Sequence, residues 1–216
     1  MTELSQEISK EEIQAMPVVK YEGKIVVVST ASEAEKCCDF LRKQPLVGID
    51  TETKPSFHKG ESRKVALLQV STLDICFLIR LNMIGLTEPI KKMLSSRKTL
   101  KVGLSLHDDI LALRHRGEFR PGKYEDIQKI VPLLGIKDLS LQKIYANVFK
   151  QKISKSQRLS NWEADVLTEA QKRYAATDAW ACVKLHNKLM ELQQTHDYTL
   201  KLNADEQQQQ SAQDNP

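Results

Sequence analysis

Along the chain, apolar residues first gather in short alternating runs and then recur every three to four positions. "KIVVVST" at 24–30 reads as a strand. "TASEAEKCCDFLRKQ" reads as a helix opened by Thr30, with Glu33 three residues on as in a capping box. "LVGIDTET" (46–53), "VALLQVST" (65–72) and "ICFLIRL" (75–81) read as further strands, the last two joined by a turn at "TLDI". "LTEPIKKMLSS" (86–96) predicts a short helix, "TLKVGLS" (99–105) a strand, and "LHDDILALRHRG" (106–117) a helix closed by Gly117. Beyond Gly117 the pattern is helical throughout: "DIQKIVPLLGI", "LSLQKIYANVF", and a long last helix from Thr168 to about Gln194. Strands and helices at the front and helices alone at the back predict an α/β domain, a mixed five- to six-stranded sheet flanked by helices with a helical C-terminal part.

Residues 1–16 and 201–216 lack apolar periodicity and read as disordered tails, the second a polar run rich in Gln, which leaves one domain over 17–200. Of the 216 residues 41% are hydrophobic and 28% charged, enough for one buried core. Apolar runs stay far below the roughly 20 residues that a membrane span needs. The acidic, polar start is neither a secretory signal nor a transit peptide, so a cytoplasmic location is expected. Cys37, Cys38, Cys76 and Cys182 form no CxxC pair and read as buried, reduced thiols. A net charge of +4 suits a polyanionic partner without selecting one.

The chemistry lies in acids placed where apolar residues belong. Asp50 and Glu52 stand two apart at the end of a strand, so both point to one face, an unfavourable arrangement unless a cation sits between them. In the last helix Ala170, Tyr174, Asp178, Ala181, Leu185, Leu189 and Leu192 form one stripe, which sets Asp178 in the packing face and the Tyr174 hydroxyl one turn away. In "SLHDDILALRHRG", Ser105 with Asp108 resembles a helix cap, while Asp109 shares a stripe with Leu106, Ile110 and Leu113. Asp109 is therefore the acid turned inward, with Asp108 the outside candidate. Four inward acids from three segments, without a Cys or His cluster, point to Mg²⁺ or Mn²⁺, two ions that would clamp an in-line displacement at phosphorus. The reaction class this implies is metal-assisted phosphodiester hydrolysis.

"GIDTE", "KVGLSLHDDILAL" and "YAATDAWA" also resemble the three motifs of the DEDD superfamily of 3′–5′ exonucleases, over about Lys24 to Leu192. A Tyr four residues before the last Asp resembles the tyrosine subclass, that of ribonuclease D and the Werner-syndrome-type exonuclease domain. The resemblance implies a ribonuclease-H-like fold and removal of nucleotides from the 3′ end of nucleic acid, DNA or RNA, with release of nucleoside 5′-monophosphates. It implies that Asp50, Glu52 and Asp178 hold one metal and that Asp50 reaches a second. Asp109 would contact the metals directly or through water, and Tyr174 would orient the attacking water. The chain ends soon after the last motif, so substrate preference does not carry over.

Two cation-rich segments flank the motifs, "KPSFHKGESRK" after the first and "KQKISKSQRLSNW" before the third. Thr51, Phe57, His58, Lys59, Lys155 and Arg158 are the candidate substrate contacts, cations for phosphates and Phe57 for a terminal base. Trp162 reads as a core anchor, and His107, His115, His186 and His196 as surface residues. Two other readings keep the fold: a catalytically silent nucleic-acid- or protein-binding module, and an endonuclease or transposase. The oligomeric state is not legible.

Overall fold

A computed structural model of the chain describes residues 1–56 and 63–203. Strand β1 (Thr2–Ser5), helix α1 (Lys10–Ala15) and β2 (Val18–Val19) lead into β3 (Lys24–Val28), α2 (Ala31–Leu41), β4 (Leu46–Glu52), β5 (Leu67–Ser71) and β6 (Ile75–Ile79). Then come α3 (Leu81–Ile84), α4 (Glu88–Leu94), β7 (Leu100–Gly103), α5 (Leu106–Arg114), β8 (Lys123–Asp126) and α6 (Ile127–Ile130), with a 3-10 turn at Val131–Leu134. The chain closes with α7 (Leu141–Phe149), β9 (Lys152–Ile153), α8 (Glu169–Thr195) and β10 (Tyr198–Lys201).

Six strands form the expected mixed sheet in the order β3-β6-β5-β4-β7-β8. β4, β5 and β6 run antiparallel in succession, while β3 joins β6, and β7 and β8 extend from β4, in parallel. The two-residue period divides the faces. Val47, Ile49, Leu68, Val70, Phe77 and Ile79 pack with Cys37, Cys38 and Leu41 of α2 and with Ile90, Met93 and Leu94 of α4. On the other face Leu67, Cys76 and Leu78 meet Ala175 and Ala176 of α8. The Thr30–Glu33 capping box and the Thr168–Gln171 cap of α8 are both formed. All four cysteines are buried and free, and Trp162 is fully buried. Among the described residues no helix is long and apolar enough to cross a membrane.

Gly48 lets α8 settle onto β4. A Cβ there would stand 1.9 Å from the Ala179 carbonyl oxygen, a backbone atom that cannot step aside. Gly48→Ala is therefore expected to lower stability by about 1–3 kcal/mol, the usual cost of overpacking. It should also lower activity by lifting Asp178 away from β4. Thermal melts set beside a nuclease assay check both effects, and an unchanged melting temperature would contradict the close approach.

Four expectations need correcting. Residues 1–16 are not a loose tail: β1 pairs in parallel with β10, Leu4 is fully buried, and a Ser9–Glu12 capping box opens α1. Asn147 holds both backbone groups of Ser5 and Asp138 accepts from the Ile8 N–H, so the partners lie at least 130 positions away, where local periodicity does not reach. At the other end order continues through β10 to Asn203, whose side chain donates to Glu7, and the rest of the expected tail lies outside the described residues. The segment after Gly117 is not wholly helical, since β8 adds the sixth strand at the sheet edge and β9 pairs with β2. His186 is buried and 2.8 Å from Glu125, because α8 is covered on both sides, by the sheet and by a cluster of α6, α7, β1 and β10 residues.

Candidate active site

β4 delivers Asp50 and Glu52 to the face that α8 covers, and α8 brings Asp178 down to meet them. One carboxylate oxygen from each of the three lies within 4.8 Å of the others. Asp178 is buried, while Asp50 and Glu52 are half-buried. Tyr174, one turn before Asp178, donates a hydrogen bond to it. The cleft has a volume of about 380 Å³ and is walled by Ser154, Lys155 and Arg158 on one side and by Ser140 and Gln142 of the α7 start on another.

Asp109 is the inward member of the "DD" pair, since Asp108 is exposed. Asp109 accepts a hydrogen bond from Thr51, between the two β4 acids, so it stands beside the converging group rather than within it. The expected Ser105 cap does not form: Ser105 adopts left-handed backbone geometry (φ 56°) and its hydroxyl caps nothing. Asp126 caps α5 instead, accepting from the N–H groups of Ser105 (3.2 Å) and Leu106 (2.9 Å), and it also caps α6 by accepting from the Gln128 N–H (3.0 Å). One carboxylate at the end of β8 thus fixes the start of the helix that carries Asp109. Its link to α5 spans twenty residues, which is why a reading of local spacing missed it.

Thr51, assigned to substrate, is engaged with Asp109 and also lines the cleft. Lys155 and Arg158 are exposed at the cleft wall, as candidate phosphate contacts require. Phe57, His58 and Lys59 lie outside the described residues. On either side of them, Lys54 and Arg63 reach Glu163, in the segment before α8, at 3.6 and 3.3 Å. Ser154 and Gln142 line the cleft without having stood out in the sequence, where they sit in ordinary loop and helix patterns.

The electrostatics follow from crowding. Burial, then the Asp178, Asp109 and Glu52 charges, holds the Asp50 carboxyl well above the usual carboxylate range. Burial with Asp178 and Asp109 pushes Glu52 up to about 8, although Arg158 opposes this. Burial raises Asp178 to about 7 against the Tyr174 hydrogen bond and the Lys155 charge. Asp109 rises to about 6, again chiefly through burial. Burial and the same carboxylates push the Tyr174 phenol far above its ordinary value. Burial disfavours each acid as an anion, neighbouring carboxylates add to this at Asp50 and Glu52, and a divalent cation between them would turn that repulsion into attraction. The oxygen-only donor set fits a hard cation.

A family model described as 3′–5′ exonuclease matches residues 25–194. The chain belongs to the 3′–5′ exonuclease domain family. A 3′–5′ exonuclease of Arabidopsis thaliana is 28% identical over 192 residues, covering 82% of this chain and 67% of that protein. The bifunctional 3′–5′ exonuclease/ATP-dependent helicase WRN of Mus musculus is 27% identical over 194 residues, which cover 83% of this chain and 14% of the mouse protein. In structure the exonuclease domain superposes on the Aedes aegypti Nibbler EXO domain with a TM-score of 0.73 at 20% identity, over 87% of this chain and 95% of that one. That likeness places the sheet and helices in the ribonuclease-H-like exonuclease fold.

Proposed function

We propose that this chain is a divalent-cation-dependent 3′–5′ exonuclease that removes nucleotides from the 3′ end of DNA or RNA and releases nucleoside 5′-monophosphates. The observation that carries this is the convergence of Asp50, Glu52 and Asp178 in a cleft edged by cations. The three carboxylates would hold Mg²⁺ or Mn²⁺, two ions in the working site, with Asp109 beside them. When bound, the cations supply Lewis-acid stabilisation of the charge that develops at phosphorus. Tyr174, held as a phenol, keeps its proton at neutral pH and so orients a water rather than deprotonating it. Lys155 and Arg158 grip the phosphate, since the first lowers the Asp178 carboxyl and the second the Glu52 carboxyl, and a charge that close also reaches a bound anion.

The test is hydrolysis of 5′-labelled DNA and RNA oligonucleotides, with free and with blocked 3′ ends, in Mg²⁺ and in Mn²⁺. Progressive shortening of free ends alone, with 5′-monophosphates identified by mass spectrometry, is expected. Cleavage of blocked substrates would contradict the proposal. Arg158→Ala should lower kcat/KM about tenfold, and reduce the slope of log(kcat/KM) against log[salt] by about one per lost phosphate contact. An unchanged salt slope would remove Arg158 from the phosphate path.

A further inference from the structure

One buried polar side chain beside the carboxylates has no evident packing role. Gln69 on β5 is the register partner of Asp50 on β4, and residues opposite each other in an antiparallel pair project to the same face, with Cβ atoms roughly 4.5–5.5 Å apart. That face is the one α8 covers. Leu67, two residues before Gln69, packs with Ala175 and Ala176, and Gly48, two before Asp50, lies against Ala179. Gln69 is 0% exposed, and neither its amide nitrogen nor its amide oxygen has a hydrogen-bond partner among the described residues. A buried amide without a partner carries its full desolvation penalty, whereas Met or Leu would fill the space without one. Its neighbours in the sheet, Leu67 and Leu78, are apolar and need no amide.

We propose that Gln69 is a positioning residue for the cation site: its carboxamide, which makes no bond to Asp50 in this structure, would donate to the Asp50 carboxylate when cations are held there and so fix how Asp50 faces them. Carboxylates that ligate cations depend on such outer hydrogen bonds for orientation. The proposal rests on the reading of Asp50, Glu52 and Asp178 as cation ligands, and it adds a fourth contributor from a strand that bears none of the acids.

Gln69→Met, similar in length and without polar atoms, is the test, with Gln69→Leu as a second variant. Three quantities are measured: the melting temperature without divalent cations, the Mn²⁺ dissociation constant by calorimetry, and kcat and KM on an oligonucleotide. Expected are an unchanged or raised melting temperature, Mn²⁺ binding weakened by about 10–100-fold, and a fall in kcat with KM for the oligonucleotide retained. A lowered melting temperature with wild-type Mn²⁺ affinity, in whichever variant folds, would assign Gln69 to the core and overturn the proposal. A wild type that binds Mn²⁺, with both variants binding it equally well, would overturn this proposal alone. A wild type that binds no Mn²⁺ would overturn the functional reading and the proposal together.

Discussion

Asp178→Asn and Asp50→Asn are each expected to lower divalent-dependent degradation of an oligonucleotide by about 10³-fold or more, because losing a ligand to the catalytic cation forfeits several kcal/mol of transition-state stabilisation and each ~1.4 kcal/mol is a factor of ten. Neither substitution should lower the melting temperature of the protein kept free of divalent cations. Asn keeps the shape of Asp while removing a charge that burial disfavours at both positions and that the neighbouring acids also disfavour at Asp50. Asp178→Asn should even raise it above pH 7, where the wild-type carboxyl is ionised. A loss of activity accompanied by a large fall in melting temperature would indicate that the acids hold the fold rather than the chemistry. Wild-type activity in both variants would remove them from the reaction.

The second large effect links pH, cations and stability. In the unfolded chain carboxyls ionise near pH ~4, whereas in the folded protein Asp109, Asp178 and Glu52 hold their protons to about 6, 7 and 8. Between these limits the folded state binds more protons than the unfolded one, so stability falls as pH rises. In chelator, the melting temperature should decline from pH 5 to pH 8 through this cluster. Divalent cations favour the ionised acids, so the stabilisation that Mn²⁺ confers should grow over the same interval and its binding should release protons. Melts in chelator and in Mn²⁺ across this range check both signs. A stabilisation by Mn²⁺ that does not change with pH would contradict the assignment.

The placement of the acids was legible because a strand and a helix each have a period. Asp50 and Glu52 two apart, and Asp178 on the face that settles on β4, needed only that spacing to be brought to one point, and the same reasoning separated Asp109 from Asp108. What stayed hidden depends on partners far along the chain. Asp126 caps α5 from the end of β8, Thr51 is engaged by Asp109 across 58 positions, and the first sixteen residues are ordered by Asp138, Asn147 and β10. The surface reading of His186 failed for a related reason: a helix with one apolar stripe is expected to bury one side, whereas α8 is enclosed on two. Gln69 within "VALLQVST" read as one position of a strand, and its register opposite Asp50 emerged only from the sheet.

Calorimetric titration of Mn²⁺ into the chelator-treated protein at pH 7.5, beside Asp178→Asn, tests most directly whether the carboxylates form a cation centre. Saturable binding by the wild type with release of protons, lost or weakened by orders of magnitude in the variant, is the expected result. Equal binding by the two proteins, or none by the wild type, would contradict it.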